Sequence, residues 1–151
     1  MKLVVLCSSK TGNTRKIADE MAADLNCESV RISQTGASSD LDLNTYDLIF
    51  LGTGIRAGNP NEDLLNYLKT VDIKESKSFA VFLTWGGAGK TDQAVIGRLK
   101  GILESKGQKV IGDYFRCYGG WQFAFLRRGH PNNEDFKAAR IWAKKIVDSI
   151  H

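Results

Sequence analysis

The chain has 151 residues, of which 42% are hydrophobic and 25% charged, with a formal net charge of +4. That length suits a single domain over residues 1–151 with a real core. No apolar run reaches the roughly 20 residues needed to cross a bilayer, and the N-terminus lacks the basic-then-apolar pattern of a signal peptide, so no membrane insertion is expected. Cys7, Cys27 and Cys117 are odd in number and widely spaced, with no C-x-x-C. They read as reduced thiols in a cytoplasmic protein with no metal site.

The charge is unevenly divided. Residues 1–75 hold 8 Lys/Arg against 11 Asp/Glu, a net of −3, and residues 76–151 hold 13 against 6, a net of +7. The basic residues are dispersed along helical patterns, as at Lys137, Arg140, Lys144 and Lys145, which favours a solvated helix face over a nucleic-acid strip. An acidic protein is the other partner that a basic half suits.

Lys2–Cys7 reads as a buried strand. Asn13–Leu25 carries a helical stripe at Ile17, Ala18, Met21, Ala22 and Leu25. Glu28–Ile32 is a short strand, and residues 34–45 are turn-like, with room for one weak helical turn. Tyr46–Gly52 is apolar at its centre, as a strand covered on both faces is. Asn61–Leu68 starts a short helix after Pro60. Ser78–Leu83 is another buried strand, and Thr91–Ser105 is a helix with Val95, Ile96, Leu99, Ile102 and Leu103 on one side. Gly107 supplies the stop. Lys109–Tyr118 reads as one long strand. Glu134–Ile150 closes the chain as an amphipathic helix, with Phe136, Ala139, Ile141, Ala143, Ile146, Val147 and Ile150 available for burial.

Five strands alternating with helices imply a parallel sheet with helices on both faces. Ligands of such sheets bind at the carboxyl ends of the strands, which selects the glycine-rich stretches 8–14, 52–60 and 84–90. The first is the most telling. Ser9-Lys10-Thr11-Gly12-Asn13-Thr14 joins a buried strand to a helix start, where backbone N–H groups and the positive end of the helix dipole favour an anion. Three hydroxyls add donors, and Gly12 lets the backbone curl. No Lys-Ser/Thr pair follows, so this turn suits holding a terminal phosphate rather than transferring one. Gly86-Gly87-Ala88-Gly89-Lys90-Thr91 has the G-K-T of a nucleotide-hydrolysing loop, but Thr84 stands where its first glycine belongs. His130 and His151 form no triad or metal cluster by spacing, and no catalytic residue is assigned.

The turn S-K-T-G-N-T after the first strand resembles the phosphate loop of flavodoxins, Ser/Thr-x-Thr-Gly-x-Thr, and the resemblance runs the length of the chain in element order and loop position. It implies an α/β, flavodoxin-like, doubly wound five-stranded parallel sheet of order 2-1-3-4-5. It also implies an FMN cofactor and single-electron transfer between redox partners, with no substrate of the protein's own. By that resemblance Ser9, Thr11, Gly12, Asn13 and Thr14 hold the FMN phosphate, with Lys10 at the variable position. Thr53, Gly54, Ile55, Arg56, Ala57 and Gly58 lie against one side of the flavin ring, and Thr84, Trp85, Gly86, Gly87 and Gly89 against the other. Gly54, Ala57 and Gly58 are the candidates for the peptide beside the flavin N5.

Two departures from the family stand out. Arg56 occupies a place where an aromatic ring is expected, and Gly89 lies near the usual position of a tyrosine; Trp85, Trp121 and Phe123 are the aromatics that could cover the ring instead. Arg56, Lys90, Arg127 and Arg128 make the flavin region more basic than in typical acidic flavodoxins, which favours a less negative second reduction potential and a redox partner with an acidic patch. A monomer is expected. The rival readings are an NAD(P)H- or quinone-dependent FMN oxidoreductase of the same fold, and a flavodoxin-like interaction module without FMN.

Overall fold

The computed structural model describes residues 1–37, 40–87, 89–119 and 129–150. Strand β1 (Leu3–Ser8) leads into α1 (Asn13–Leu25), β2 (Glu28–Arg31), a single 3-10 turn (Leu43–Thr45), β3 (Leu48–Arg56), β4 (Asn59–Pro60) and α2 (Glu62–Thr70). Then come β5 (Ser78–Trp85), α3 (Thr91–Ser105), β6 (Lys109–Val110), β7 (Phe115–Tyr118) and α4 (Asn133–Ser149). The sheet runs β2-β1-β3-β5-β6, with β7 also paired to β5 and β4 paired to β3. All pairings are parallel except β3 with β4. Taken as main strands, this is the order 2-1-3-4-5.

Alternation of side chains sorts the core into two layers. Val4, Leu6, Ile49, Leu51, Phe79, Val81 and Leu83 face Leu64, Leu65 and Leu68 of α2 and Val95, Leu99 and Leu103 of α3. Val5, Cys7, Leu48, Phe50, Ala80 and Phe82 face Ile17, Ala18, Met21 and Ala22 of α1 and Ala139, Ala143 and Ile146 of α4. The sheet is therefore buried on both faces, as its apolar strands require.

Three details differ from the sequence expectation. Among the described residues the sheet has seven strand segments where five strands are expected. The expected strand Lys109–Tyr118 breaks into β6 and β7 because Gly112 turns the chain with φ +67°, and a side chain there would collide with Ile146 of α4. Strand β3 does not stop at Gly52 but runs on to Arg56 and folds back as a hairpin into β4. In α4, Ile141 is 59% exposed and Ile150 is exposed too. The burial goes to Trp142, whose ring packs edge-on to Phe50 at 5.6 Å and against Phe115 at 5.7 Å, while its Nε1 donates to the Asp113 carbonyl at 2.8 Å.

Candidate functional site

The carboxyl ends of β1, β3 and β5 converge on the start of α1. Gly12 closes β1's turn in the left-handed region, at φ +89°, and is the N-cap of α1 with no capping side chain. Its N–H donates to Ser9 Oγ at 3.0 Å, which draws the turn into a cup, and its carbonyl accepts from Lys16 N at 3.1 Å to begin the helix. A non-glycine residue at this φ would be strained. Where its Cβ would be, there is open space to 4 Å. A helix start without a capping side chain, beneath open space and among hydroxyls, fits a phosphate.

Below the cup lies a floor of hydroxyl and amide groups. Thr14, in the first turn of α1, and Thr84, near the end of β5, share a buried hydrogen bond of 2.8 Å between their Oγ1 atoms. Asn61 donates through Nδ2 to the Ser8 carbonyl at 2.8 Å, and its backbone N–H donates to Thr53 Oγ1 at 3.0 Å. Thr53 in turn donates to the Gly54 carbonyl at 2.8 Å. Gly54 sits above these groups, so that a Cβ there would lie 3.7 Å from Thr14 Oγ1 and 3.8 Å from the Asn61 amide. Thr53 is thus committed to holding the hairpin base, and Asn61 staples that hairpin to the phosphate loop.

The structure places the residues read from sequence in three sets. Ser9, Thr11, Gly12, Asn13 and Thr14 form the cup; Lys10 reaches sideways to Asp63 at the start of α2, 3.5 Å away. Gly54, Ile55, Arg56, Ala57 and Gly58 form the hairpin rather than an open loop. Ile55 pairs with Pro60 and Arg56 with Asn59, so Ala57 and Gly58 are the two turn residues, at φ +50° and +76°. Both positive values match the twist of a tight hairpin, but alanine adopts them at a cost. The turn rests on α3, with Thr91 Cγ2 at 3.8 Å from where a Gly58 Cβ would stand and Asn59 Oδ1 accepting from Arg98 at 3.2 Å. Arg56 is exposed.

The third set comprises Thr84, Trp85, Gly86, Gly87 and Gly89. Trp85 is only 8% exposed and is stacked on Tyr118, with centroids 6.3 Å apart and planes 17° from parallel. The Arg116 guanidinium lies 5.0 Å from the Trp85 ring centroid. Gly86 and Gly89 have no neighbour within 4 Å of where a Cβ would stand, which leaves their backbone open to close approach. Trp121, Phe123, Arg127 and Arg128 lie outside the described residues.

Sequence reasoning did not single out Asp92, Tyr114, Arg116 and Tyr118, nor the stapling role of Asn61. The Asp92 side chain is 1% exposed and accepts from Tyr114 Oη at 2.7 Å and from Arg116 Nη1. Burial pushes its pKa up, but the Tyr114 and Arg116 bonds and the Gln93 N–H outweigh that and hold it below the usual carboxylate value. Only Asp92's place at a helix start was visible in sequence, since its partners come from 22 and 24 residues away. The three thiols are raised by burial: Cys7 and Cys27 to about 11 and Cys117 to about 12. A raised thiol pKa disfavours the nucleophilic thiolate at neutral pH. Among the described residues no group of three His, Cys, Asp or Glu could hold a metal, and no helix is long and apolar enough to cross a membrane.

A parallel sheet of this order, with a left-handed glycine turn after its first strand and two glycine-bearing segments beside it, defines the doubly wound α/β class. Residues 4–122 match the Flavodoxin domain family model, and the chain belongs to that family. It is 31% identical over 153 residues to an uncharacterized protein of Methanocaldococcus jannaschii, covering 97% of this chain and 99% of that one. In fold it is similar to oxidised Flavodoxin 1 from Bacillus cereus, with a TM-score of 0.71, 23% identity and 98% of each chain covered. It is also similar to a flavoprotein from Lactobacillus acidophilus solved in complex with FMN, with a TM-score of 0.61 and 21% identity over 76% of this chain and 92% of that one. The cup and its hydroxyl floor fit the phosphate end of such a cofactor.

Proposed function

We propose that this chain binds FMN and carries single electrons between redox proteins. The observation that carries the reading is the Gly12 turn: a start to α1 with no capping side chain, a left-handed glycine and open space where its Cβ would stand. A phosphate there gains backbone N–H donors and the helix dipole with no cation required. Bound FMN supplies the redox chemistry; the chain supplies binding, orientation and access.

The residues divide that work. The cup grips the phosphate, and Thr84 fixes the Thr14 hydroxyl toward one direction. The Ala57–Gly58 turn on one side and Gly86–Gly87 on the other present backbone to the ring. The Ala57–Gly58 peptide, already between two positive-φ residues, is the one that we assign to the flavin N5 side. The hairpin itself offers no aromatic side chain to the ring. Arg56, Lys90 and Arg116 surround this end with positive charge, which suits a redox partner carrying an acidic patch.

The test is the visible absorption spectrum of purified protein with and without added FMN, followed through stepwise reduction. Binding with a yellow spectrum, reduction in two separate one-electron steps and no turnover of NAD(P)H with quinones is the expected result. Rapid NAD(P)H-dependent quinone reduction would replace the carrier reading with the oxidoreductase one, and failure to take up FMN would leave an interaction module.

A further inference from the structure

Outside the phosphate cup, one arrangement in the molecule is built at a cost that the core does not explain. Asp92, the second residue of α3, is buried with Oδ2 accepting from both Tyr114 and Arg116, while Oδ1 has no hydrogen-bond partner among the described residues. A buried carboxylate that is only partly satisfied is a poor way to stabilise a fold; an apolar side chain of similar size would serve as well. What the arrangement achieves is to immobilise one guanidinium. Asp92 holds Arg116 from one side, the Trp85 ring lies 5.0 Å from it, and yet half of the Arg116 side chain stays open to solvent.

Its place in the fold gives the fixed arginine a use. Arg116 pairs with Leu83 and Tyr118 with Trp85, so both sit at the carboxyl end of the sheet. Three residues on, at about 3.3 Å per residue, Gly119 lies against the phosphate loop: a Cβ there would stand 2.9 Å from the Asn13 amide. Tyr118 is 37% exposed, and Lys90, at the N-cap of α3, is exposed as well. The patch therefore joins a preoriented arginine, a tyrosine face and a second cation at the rim of the cofactor end. Arginine and tyrosine are the residue types that dominate binding hot spots, and a guanidinium with donors to spare pairs with a carboxylate in fork geometry.

We propose that Arg116, held by Asp92 and Tyr114, is the docking residue that receives a carboxylate of the acidic redox partner beside the flavin. The proposal rests on the carrier reading above, which supplies the need for a partner. It commits to a protein carboxylate because the half-open Arg116 and the exposed Lys90 put two cations at this rim, which disfavours basic partners. Fixing the guanidinium in advance removes side-chain ordering from the docking step.

The test titrates a hexaglutamate peptide onto the FMN-loaded protein at low salt, with calorimetry reading affinity and ferricyanide oxidation of the reduced protein reading access. Arg116→Gln is expected to weaken peptide binding about tenfold, and Arg116→Lys, which keeps the charge and loses the fork, severalfold. Lys144→Gln, on distant α4, leaves it unchanged. Asp92→Asn discriminates most sharply. It makes the protein one charge more positive, so general electrostatics predicts tighter peptide binding; release of Arg116 predicts weaker binding. Tyr114→Phe loosens the same anchor with no charge change, should Asp92→Asn fail to fold. Slower ferricyanide oxidation in Arg116→Gln, and peptide inhibition that is lost with it, complete the expected result.

Equal effects of Arg116→Gln and Lys144→Gln, or tighter binding by Asp92→Asn, overturn the proposal. If the chain takes up no FMN, the carrier reading fails separately. The peptide titration, followed then by tryptophan fluorescence on the unloaded chain, still reports on Arg116.

Discussion

Thr14 and Thr84 are 70 residues apart in sequence and 2.8 Å apart at their hydroxyls, buried where α1 begins and β5 ends. Among the described residues each hydroxyl is the other's hydrogen-bond partner, so losing one orphans the other. Thr84→Val is expected to destabilise the fold by about 1–3 kcal/mol, the cost of orphaning a buried hydroxyl. Replacing both residues by Val removes donor and acceptor together and restores most of that stability. On the proposed placement of the phosphate beside Thr14, FMN affinity should fall about 10–100-fold in the double variant, as expected for the loss of a hydroxyl that bonds a charged group. Urea unfolding of the unloaded chain, set beside FMN titration, separates the two effects. An affinity loss that tracked stability alone would take Thr14 out of the phosphate site.

The hairpin turn gives a second prediction, of opposite sign. Ala57 is held at φ +50° beside Gly58 at +76°. A left-handed alanine costs about 1–2 kcal/mol, part of which glycine returns in unfolded-state entropy. Ala57→Gly should thus raise stability by about 0.5–1 kcal/mol, and Gly58→Ala should lower it by about 1–2 kcal/mol. The midpoint of urea unfolding reads both. Backbone strain at Ala57 is the kind of feature that marks a peptide taking part in function; on the proposed placement of this turn beside the flavin, Ala57→Gly should also shift the reduction potential of bound FMN.

Much of this architecture was legible because the signals are local. The apolar runs Lys2–Cys7 and Ser78–Leu83 mark doubly covered strands, which the structure sets at Leu3–Ser8 and Ser78–Trp85, and the stripe from Thr91 to Ser105 gives a helix with those bounds. The tight turn at Gly12 and the helix start at Asn13 are legible for the same reason, since the residues that make them are consecutive. The features that sequence left hidden depend on distant partners. Gly52 looks like the start of a loop, whereas its role is to clear space for the Phe82 ring of the next strand. Ile141 and Trp142 are adjacent on α4, and only the aromatic gap between Phe50, Phe82 and Phe115 decides which turns inward. Arg116 reads as one more basic residue until α3 brings Asp92 beneath it.

Gly52 itself is open to test. A Cβ there would overlap the Phe82 ring edge, and both residues are pinned in adjacent strands by the pairing of Gly52 with Phe82. Gly52→Ala should cost about 1–3 kcal/mol through overpacking. Phe82→Leu alone leaves a void and should also destabilise, by a similar amount. Combined, the extra methyl and the lost ring compensate, so the double variant should be more stable than the sum of the two singles predicts, by about 0.5–3 kcal/mol. Thermal unfolding of all four proteins measures this coupling, and strict additivity would remove the steric account of Gly52.

The buried thiols are expected to make stability fall on the alkaline side. Burial raises Cys7 to about 11 and Cys117 to about 12, with Asp19 adding to the first and Asp135 to the second, against about 8.5 in an unfolded chain. A raised folded-state pKa means that the native thiol keeps its proton while the unfolded thiol has already lost it. Its stabilising contribution is complete below the unfolded value and is lost as pH climbs toward the folded one. Stability should therefore decline from about pH 8.5 upward, each of the two thiols contributing up to about 1.4 kcal/mol per pH unit until it ionises in the native state. Urea unfolding between pH 7 and 10.5 should show this slope in the native sequence. A Cys7→Ala, Cys117→Ala variant starts from lower stability, because it gives up core packing, but its slope over the same range should be shallower. The same thiols should resist iodoacetamide at pH 7.5 in the folded protein and react after unfolding. An unchanged slope in the double variant would assign the alkaline loss to other groups, and rapid labelling of folded protein at Cys7 or Cys117 would contradict their burial.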